Sequence, residues 1–309
     1  MAHQEDKKNI AIFAHYDKHQ IVDDYVLIYL RNLKKFCDKI IFVSDGDLSA
    51  KERQKIFPFV SEIIAQRHQE YDFGSWKLGF HLLKEKYPQD FSSADKLIFA
   101  NDSCYCLGEF DDVFAQIESM PNVDCFGITD SAEYSYHLQS YFLVFNKTVF
   151  LTDFFDNFIQ KISQQSFKID IIKDYEIGLS ELLVQNHKKL YAIFGRDVLQ
   201  NYSNQNRPLI IKKILKIIGL YQMVFGIKRI FSTLFEISDC CYCYHNTFYL
   251  LILNGSPLLK RSIILKDFAP KKSLNSSSLC YFWKKIVNAE TVFDDQVITK
   301  HATRISQAK

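Results

Sequence analysis

Asn9-Ile-Ala-Ile-Phe-Ala-His-Tyr-Asp17 decides the fold reading. Residues 9–14 are a short, nearly unbroken apolar run, which reads as a strand covered on both faces. The run stops at three polar residues, His15, Tyr16 and Asp17. Downstream, Val22, Val26, Tyr29, Leu30, Leu33 and Cys37 recur at helical spacing, with Asp23 and Asp24 in the first turn, where carboxylates suit the helix dipole. Further strands are expected at residues 40–44, 62–65 and 96–100, then at 123–128 and 139–146. Helices are expected over 74–87, 109–119, 148–163 and 172–187. Strand and helix in alternation, with buried apolar strands, predict an α/β fold around a mostly parallel sheet.

Composition agrees with a folded protein. Hydrophobic residues make up 48% and charged residues 24%, which excludes wholesale disorder. The net charge of +2 conceals a division: residues 1–200 hold 22 Lys/Arg against 30 Asp/Glu, residues 201–309 hold 16 against 6. A basic second half points to an anionic partner, nucleic acid or membrane lipid. The eight cysteines lack the spacing of a disulfide framework, and no segment is apolar for long enough to span a membrane. The polar start carries no signal peptide, so a cytoplasmic location is expected.

The strand ends carry the chemistry. The first strand leads into His15-Tyr16-Asp17, the second into Ser44-Asp45-Gly46-Asp47, the third into Glu70-Tyr-Asp-Phe-Gly-Ser-Trp76, and the fourth into Asn101-Asp102-Ser103. Parallel strands deliver these carboxylates to one sheet edge, where ligands of such folds collect. Singly, each Asp reads as a turn former. Together they repel one another unless a cation or a shared proton joins them, so a metal or a proton-sharing role is expected.

At this point several stretches match a known pattern: Ile10 to Asp17, Asp23-Asp-Tyr-Val26, Tyr71-Asp-Phe-Gly-Ser-Trp76, Ala100-Asn-Asp-Ser-Cys104, Gly127-Ile-Thr-Asp-Ser131, His137-Leu-Gln-Ser-Tyr-Phe142, Tyr175-Glu-Ile-Gly178 and Asn254-Gly-Ser-Pro257. In this order they resemble the rhamnan-synthesis family, bacterial glycosyltransferases that build rhamnose-containing surface polysaccharide. The resemblance spans about residues 9 to 265.

It implies a GT-A-like, Rossmann-type sheet flanked by helices over residues 1–200. A basic amphipathic region over 201–309 would complete the acceptor side. It implies an inverting, metal-assisted transfer of rhamnose from dTDP-rhamnose to a lipid-linked surface polysaccharide or O-antigen acceptor. The alternative is a non-catalytic nucleotide-sugar-binding or assembly protein. Such enzymes usually place Asp-X-Asp at the end of the fourth strand; here it is Asn101-Asp102-Ser103, which leaves Asp102 as the one carboxylate for Mg²⁺ or Mn²⁺. The nucleotide sugar would lie among His15, Tyr16, Asp45, Tyr71, Asp72, Gly74, Asn101 and His137. Asp45 would meet the imide N–H of a uracil or thymine, Tyr16 would stack on base or ribose, and Gly74 would let the backbone approach ribose or phosphate. Glu176 and Asp130 compete for the role of the base that takes the acceptor hydroxyl proton. Asp102 is read as an exposed loop carboxylate, and Trp76 as core.

Beyond residue 200, Tyr202 to Pro208 reads as a polar linker. Ile210, Ile211, Ile214, Ile217, Ile218, Tyr221 and Phe225 then share a helical face, with Lys212, Lys213 and Lys216 opposite and Lys228 and Arg229 further on. Such a helix can lie in a membrane interface or pack inward with solvated lysines. With a lipid-linked acceptor, the first choice places the protein peripherally on the inner face of the cell membrane; no nucleic-acid partner is expected. Cys240-Cys-Tyr-Cys243 with His245 is too tightly spaced for zinc. No nucleophile elbow, phosphate-binding Gly-X4-Gly-Lys-Ser/Thr or His-Glu-X-X-His occurs.

Overall fold

The computed structural model describes residues 8–218, 243–265 and 282–307. Tyr221, Phe225, Lys228, Arg229, Cys240 and Cys241 lie outside the described residues, as do the side chains of Ile217, Ile218, Cys243 and His245.

Two units emerge from the backbone. The first comprises Met1–Asp102, Phe110–Asp130 and Tyr134–Ile193; the second comprises Ser103–Glu109, Ser131–Glu133 and Phe194–Lys309. The first holds a seven-stranded sheet: β1 (Asn9–His15), β2 (Lys39–Ser44), β3 (Glu62–Ala65), β4 (Lys96–Asn101), β5 (Cys125–Gly127), β6 (Phe142–Asn146) and β7 (Leu190–Ala192). Its order is β3-β2-β1-β4-β6-β5-β7. The pairs β1–β2, β1–β4, β2–β3 and β5–β7 are parallel, whereas β6 runs antiparallel to both β4 and β5. The α/β architecture around a mostly parallel sheet expected from the sequence is the one observed.

Burial on both faces explains the apolar runs. Along β1, Ile10, Ile12 and Ala14 face one core with Trp76, Phe80, Leu97 and Phe99. Phe13 faces the other, stacked on Phe42 at 5.7 Å and edge-on to Tyr29 at 5.1 Å. The helix Tyr71–Lys86 lies so close to β1 that a Cβ at Gly79 would stand 2.4 Å from Ile12 Cγ2. Trp76 is fully buried as expected; its ring stacks on Phe99 at 5.0 Å and its N–H donates to the Ala100 carbonyl at 3.1 Å.

In the second unit the strand Cys104–Cys106 pairs antiparallel with Leu258–Lys260. The expected linker at 202–208 is helical instead, within Arg196–Ile218, and Pro208 sits inside that helix. Two of the polar side chains are satisfied there: the Tyr202 hydroxyl donates to the Leu253 carbonyl at 2.9 Å and Asn206 Nδ2 to the Tyr202 carbonyl at 3.0 Å, whereas the buried Ser203 hydroxyl meets no partner among the described residues. On the same helix Ile210 and Ile214 are buried, and Lys213 pairs with Glu290 at 2.6 Å. Among the described residues no helix is long and apolar enough to cross a membrane.

Candidate functional site

Parallel register brings four strand ends to one edge. His15 stands opposite Ser44, Ser44 opposite Ala65, and Ala14 opposite Asn101, so the loops after β1, β2, β3 and β4 leave the sheet side by side. Backbone bonds tie them: Asp45 N donates to the His15 carbonyl at 2.9 Å, and Asp102 N to the Ala14 carbonyl at 3.1 Å.

Asp102 is buried rather than exposed, with 4% of its surface accessible. The reason is its place one residue beyond β4, beside the end of β1. Its Oδ2 accepts the Tyr16 N–H at 3.3 Å and lies 3.8 Å from His15 Nε2. Buried His15 also contacts Ser44, with Nδ1 3.2 Å from Oγ. Asn101 is also buried, and its Nδ2 donates to Asp72 Oδ2 at 2.8 Å.

Asp45 is buried and organises the loop after β3. Its Oδ1 accepts the N–H groups of His68 at 2.8 Å and Gln69 at 3.1 Å, while Oδ2 lies 3.4 Å from Arg67 Nη1. The loop continues through Gln69 and Tyr71, both at positive φ (63° and 56°), into the helix Tyr71–Lys86. Strain at exposed Tyr71 is tolerated because its neighbours are pinned. The His68 ring accepts the Glu70 N–H at Nδ1 (3.1 Å), so that nitrogen carries a lone pair and the proton sits on Nε2, 3.0 Å from Ser75 Oγ. Burial, aided by Arg67, holds this imidazole's pKa below its usual value against the opposing pull of Asp45 and Glu70. The space beside Gly74 is filled by protein: a Cβ there would stand 2.2 Å from Glu70 Cβ and 2.7 Å from His68 Nδ1. Glycine at this position therefore admits the His68 turn, where close approach of ribose or phosphate was expected.

The two candidate bases are placed differently. Glu176 lies in a π-helical turn, Ile172–Ile177, a rare geometry enriched at functional sites. Its Oε1 accepts both the N–H of Ser140 at 2.7 Å and its hydroxyl at 3.0 Å. Among the described residues its Oε2 meets no protein donor. The next residue, Tyr141, accepts the Asn101 N–H at its carbonyl (3.3 Å), so a short backbone path joins Glu176 to Asn101-Asp102. Asp130 is half-buried just after β5. His137 is buried and donates from Nδ1 to the Ser135 carbonyl at 2.8 Å, and the following Leu138 N–H donates to Ser180 Oγ at 3.1 Å. The structure thus groups His15, Tyr16 and Asp102; Asp45 with residues 67–69; and Asp72 with Asn101. Glu176 and His137 sit on the separate 137–140 segment and the helix against it.

A family model described as rhamnan synthesis protein F matches residues 40–216, more than half of the chain. The chain belongs to this family. The match takes in the loops after β2, β3 and β4 and the helical turn bearing Glu176. No curated protein matches the chain. Among solved structures it is similar to the glycosyltransferase GlyE of Streptococcus pneumoniae, with 12% identity, a TM-score of 0.40, and coverage of 97% of this chain and 64% of that one. It is also similar to core-mannan synthase A of Aspergillus fumigatus in its Mn/GDP form, with 9% identity, a TM-score of 0.37, and coverage of 62% and 74%. The 4-diphosphocytidyl-2C-methyl-D-erythritol synthase of Anaerococcus prevotii shows 12% identity and a TM-score of 0.40, over 60% of this chain and 88% of that one.

Sequence reasoning passed over Arg67, His68 and Ser140. The signal for the first two lies in Gln66-Arg-His-Gln69, which directly follows β3 and obeys the same strand-end rule as the other loops. Ser140 carries no local signal, because its partner is 36 residues away.

Proposed function

We propose that this chain is a glycosyltransferase that moves rhamnose from dTDP-rhamnose, with inversion, onto a lipid-linked surface polysaccharide or O-antigen acceptor. Family membership over residues 40–216 is the observation that carries the reading. The loops after β1 to β4 offer the donor site: exposed Tyr16 and Tyr71 would supply aromatic faces, and buried His15 and Asn101 with Asp72 would supply polar contacts, while Gly74 serves the packing of His68. Asp45 can meet a base only through Oδ2, since both backbone donors converge on Oδ1.

A divalent cation fits these residues in a limited way. Among the described residues no group of three His, Cys, Asp or Glu side chains could hold one. Mg²⁺ usually needs only one or two carboxylates beside substrate phosphates and water, so Asp102 suits an ion that arrives with the nucleotide sugar. Such an ion would neutralise charge on the departing diphosphate. His15 and the Tyr16 N–H keep the Asp102 carboxylate oriented.

Glu176 is the better-placed base. Ser140 fixes Oε1 and leaves Oε2 to take the acceptor hydroxyl proton as the sugar carbon is attacked from the opposite face. Asp130 and His137 would flank the acceptor. With Ile210 and Ile214 packed inside, residence at the inner face of the cell membrane would rest on electrostatic attraction of Lys212, Lys216 and the other basic residues after 200 to anionic lipid.

Calorimetry with dTDP and UDP, with Mg²⁺, Mn²⁺ or chelator, tests the donor site. Failure to bind either nucleotide in any of these conditions refutes the reading. Binding without transfer from dTDP-rhamnose to extracted lipid-linked glycan would favour the non-catalytic assembly role, which Asn101 in place of a second carboxylate keeps in view.

A further inference from the structure

Arg67 has no part in the reading above, yet it stands where a donor would bind. It follows β3, at the same sheet edge as Tyr16 and Asp45. Its Nη1 donates to the Asp45 carbonyl at 3.1 Å and faces Asp45 Oδ2 at 3.4 Å. Its guanidinium carbon lies 5.2 Å from the centre of the Tyr16 ring. The side chain is 51% exposed.

These contacts use one nitrogen of the fork. Among the described residues, Nε and Nη2 meet no protein acceptor. Those two atoms form one edge of the guanidinium, with parallel N–H bonds that match two oxygens of a phosphate or carboxylate. The opposite corner is held by Asp45, itself anchored by the backbone of His68 and Gln69, and one face of the cation is covered by Tyr16. A fork held this way loses less freedom on binding than a free surface arginine.

Charge supports an anionic ligand. Asp45, Asp72 and Asp102 stand at the ends of neighbouring strands or at the following helix, and a diphosphate entering among them is repelled unless cationic charge meets it. Arg67 is a permanent cation at that edge.

We propose that Arg67 grips the diphosphate of the nucleotide donor through its Nε/Nη2 edge, and so selects a nucleoside diphosphate over a nucleoside. This rests on the glycosyltransferase reading and names a binding residue for it. The test measures dTDP binding by calorimetry and thymidine binding by ligand-observed NMR, for the wild type, Arg67→Gln and Arg67→Lys, each with and without Mg²⁺. The glutamine variant is expected to bind dTDP about 10- to 100-fold more weakly, the scale of a charge-assisted contact, with thymidine affinity unchanged. The lysine variant should recover part of the loss, because it keeps the charge without the fork. Thermal unfolding of both variants should stay near wild type, since a half-exposed ion pair contributes little to stability. Unchanged dTDP affinity in the glutamine variant overturns this inference and leaves the glycosyltransferase reading intact. A parallel fall in thymidine affinity also overturns it, by assigning Arg67 to the base beside Tyr16. Wild-type protein that binds neither ligand overturns both.

Discussion

Replacing Glu176 by glutamine removes the carboxylate charge while leaving an oxygen where Oε1 stands. Both bonds from Ser140, at 2.7 and 3.0 Å, can then persist as neutral hydrogen bonds. A bond to a charged acceptor is worth about 1.5–3 kcal/mol and a neutral one about 0.5–1.5 kcal/mol, so two conversions cost about 2–3 kcal/mol. Glu176 is only half-buried, and solvent screening lowers this to about 1 kcal/mol. Glu176→Ala instead strips the Ser140 N–H of its acceptor and should cost about 1–3 kcal/mol. Turnover should separate from stability in the glutamine variant, falling about 10²- to 10⁴-fold while dTDP affinity holds, because the base acts on the acceptor. The assay pairs single-turnover release of nucleoside diphosphate with urea unfolding of each variant. Wild-type turnover in Glu176→Gln would refute the base assignment. Activity and stability lost in proportion across the two variants would reduce Glu176 to a brace for Ser140. If Asp130→Asn gives the loss instead, the two roles exchange.

Asp102→Asn should abolish metal-supported transfer with little change in unfolding free energy, since the amide oxygen can still accept the Tyr16 N–H; full activity in Mg²⁺ would end the metal assignment. Gly74→Ala should destabilise the protein by about 1–3 kcal/mol through overpacking against Glu70 and His68, seen as a lower urea midpoint, and an unshifted midpoint would contradict the close packing. His68 has a folded-state pKa below its usual 6.5, so the unfolded chain takes up the proton first: its contribution to stability is complete above about pH 6.5 and declines as pH falls toward the folded-state value. Urea unfolding across that window should show a steeper acid loss in wild type than in His68→Gln, and identical slopes would refute the neutral-imidazole latch. Replacing Lys212 and Lys216 by glutamate, with Lys213 spared because it pairs with Glu290, should weaken binding to anionic vesicles without unfolding the protein. Vesicle binding equal to wild type would remove those lysines from the membrane proposal.

Short apolar runs ending in polar residues were legible because burial on both sheet faces leaves little room for polar side chains within them. That pattern located every strand of the main sheet except Leu190–Ala192. Direction was not legible. The antiparallel course of β6 between β4 and β5 leaves no trace in its composition, since an apolar run looks the same in either sense. The polar stretch from Tyr202 to Pro208 misled for a related reason: the Leu253 carbonyl that receives the Tyr202 hydroxyl is 51 residues away.

The candidate site divides along the same line. That His15, Asp45 and Asp102 share an edge follows from the sequence alone, because parallel strands point their carboxyl ends the same way. What each carboxylate does at that edge depends on register and loop path. Register sets Asp102 beneath the end of β1 and buries it, and the turn through Gln69 and Tyr71 wraps residues 67–69 around Asp45. The same wrap leaves one edge of Arg67 open. Strand ends can be read from local composition, but hydrogen-bond partners 22 to 86 residues apart are chosen only when the chain closes on itself.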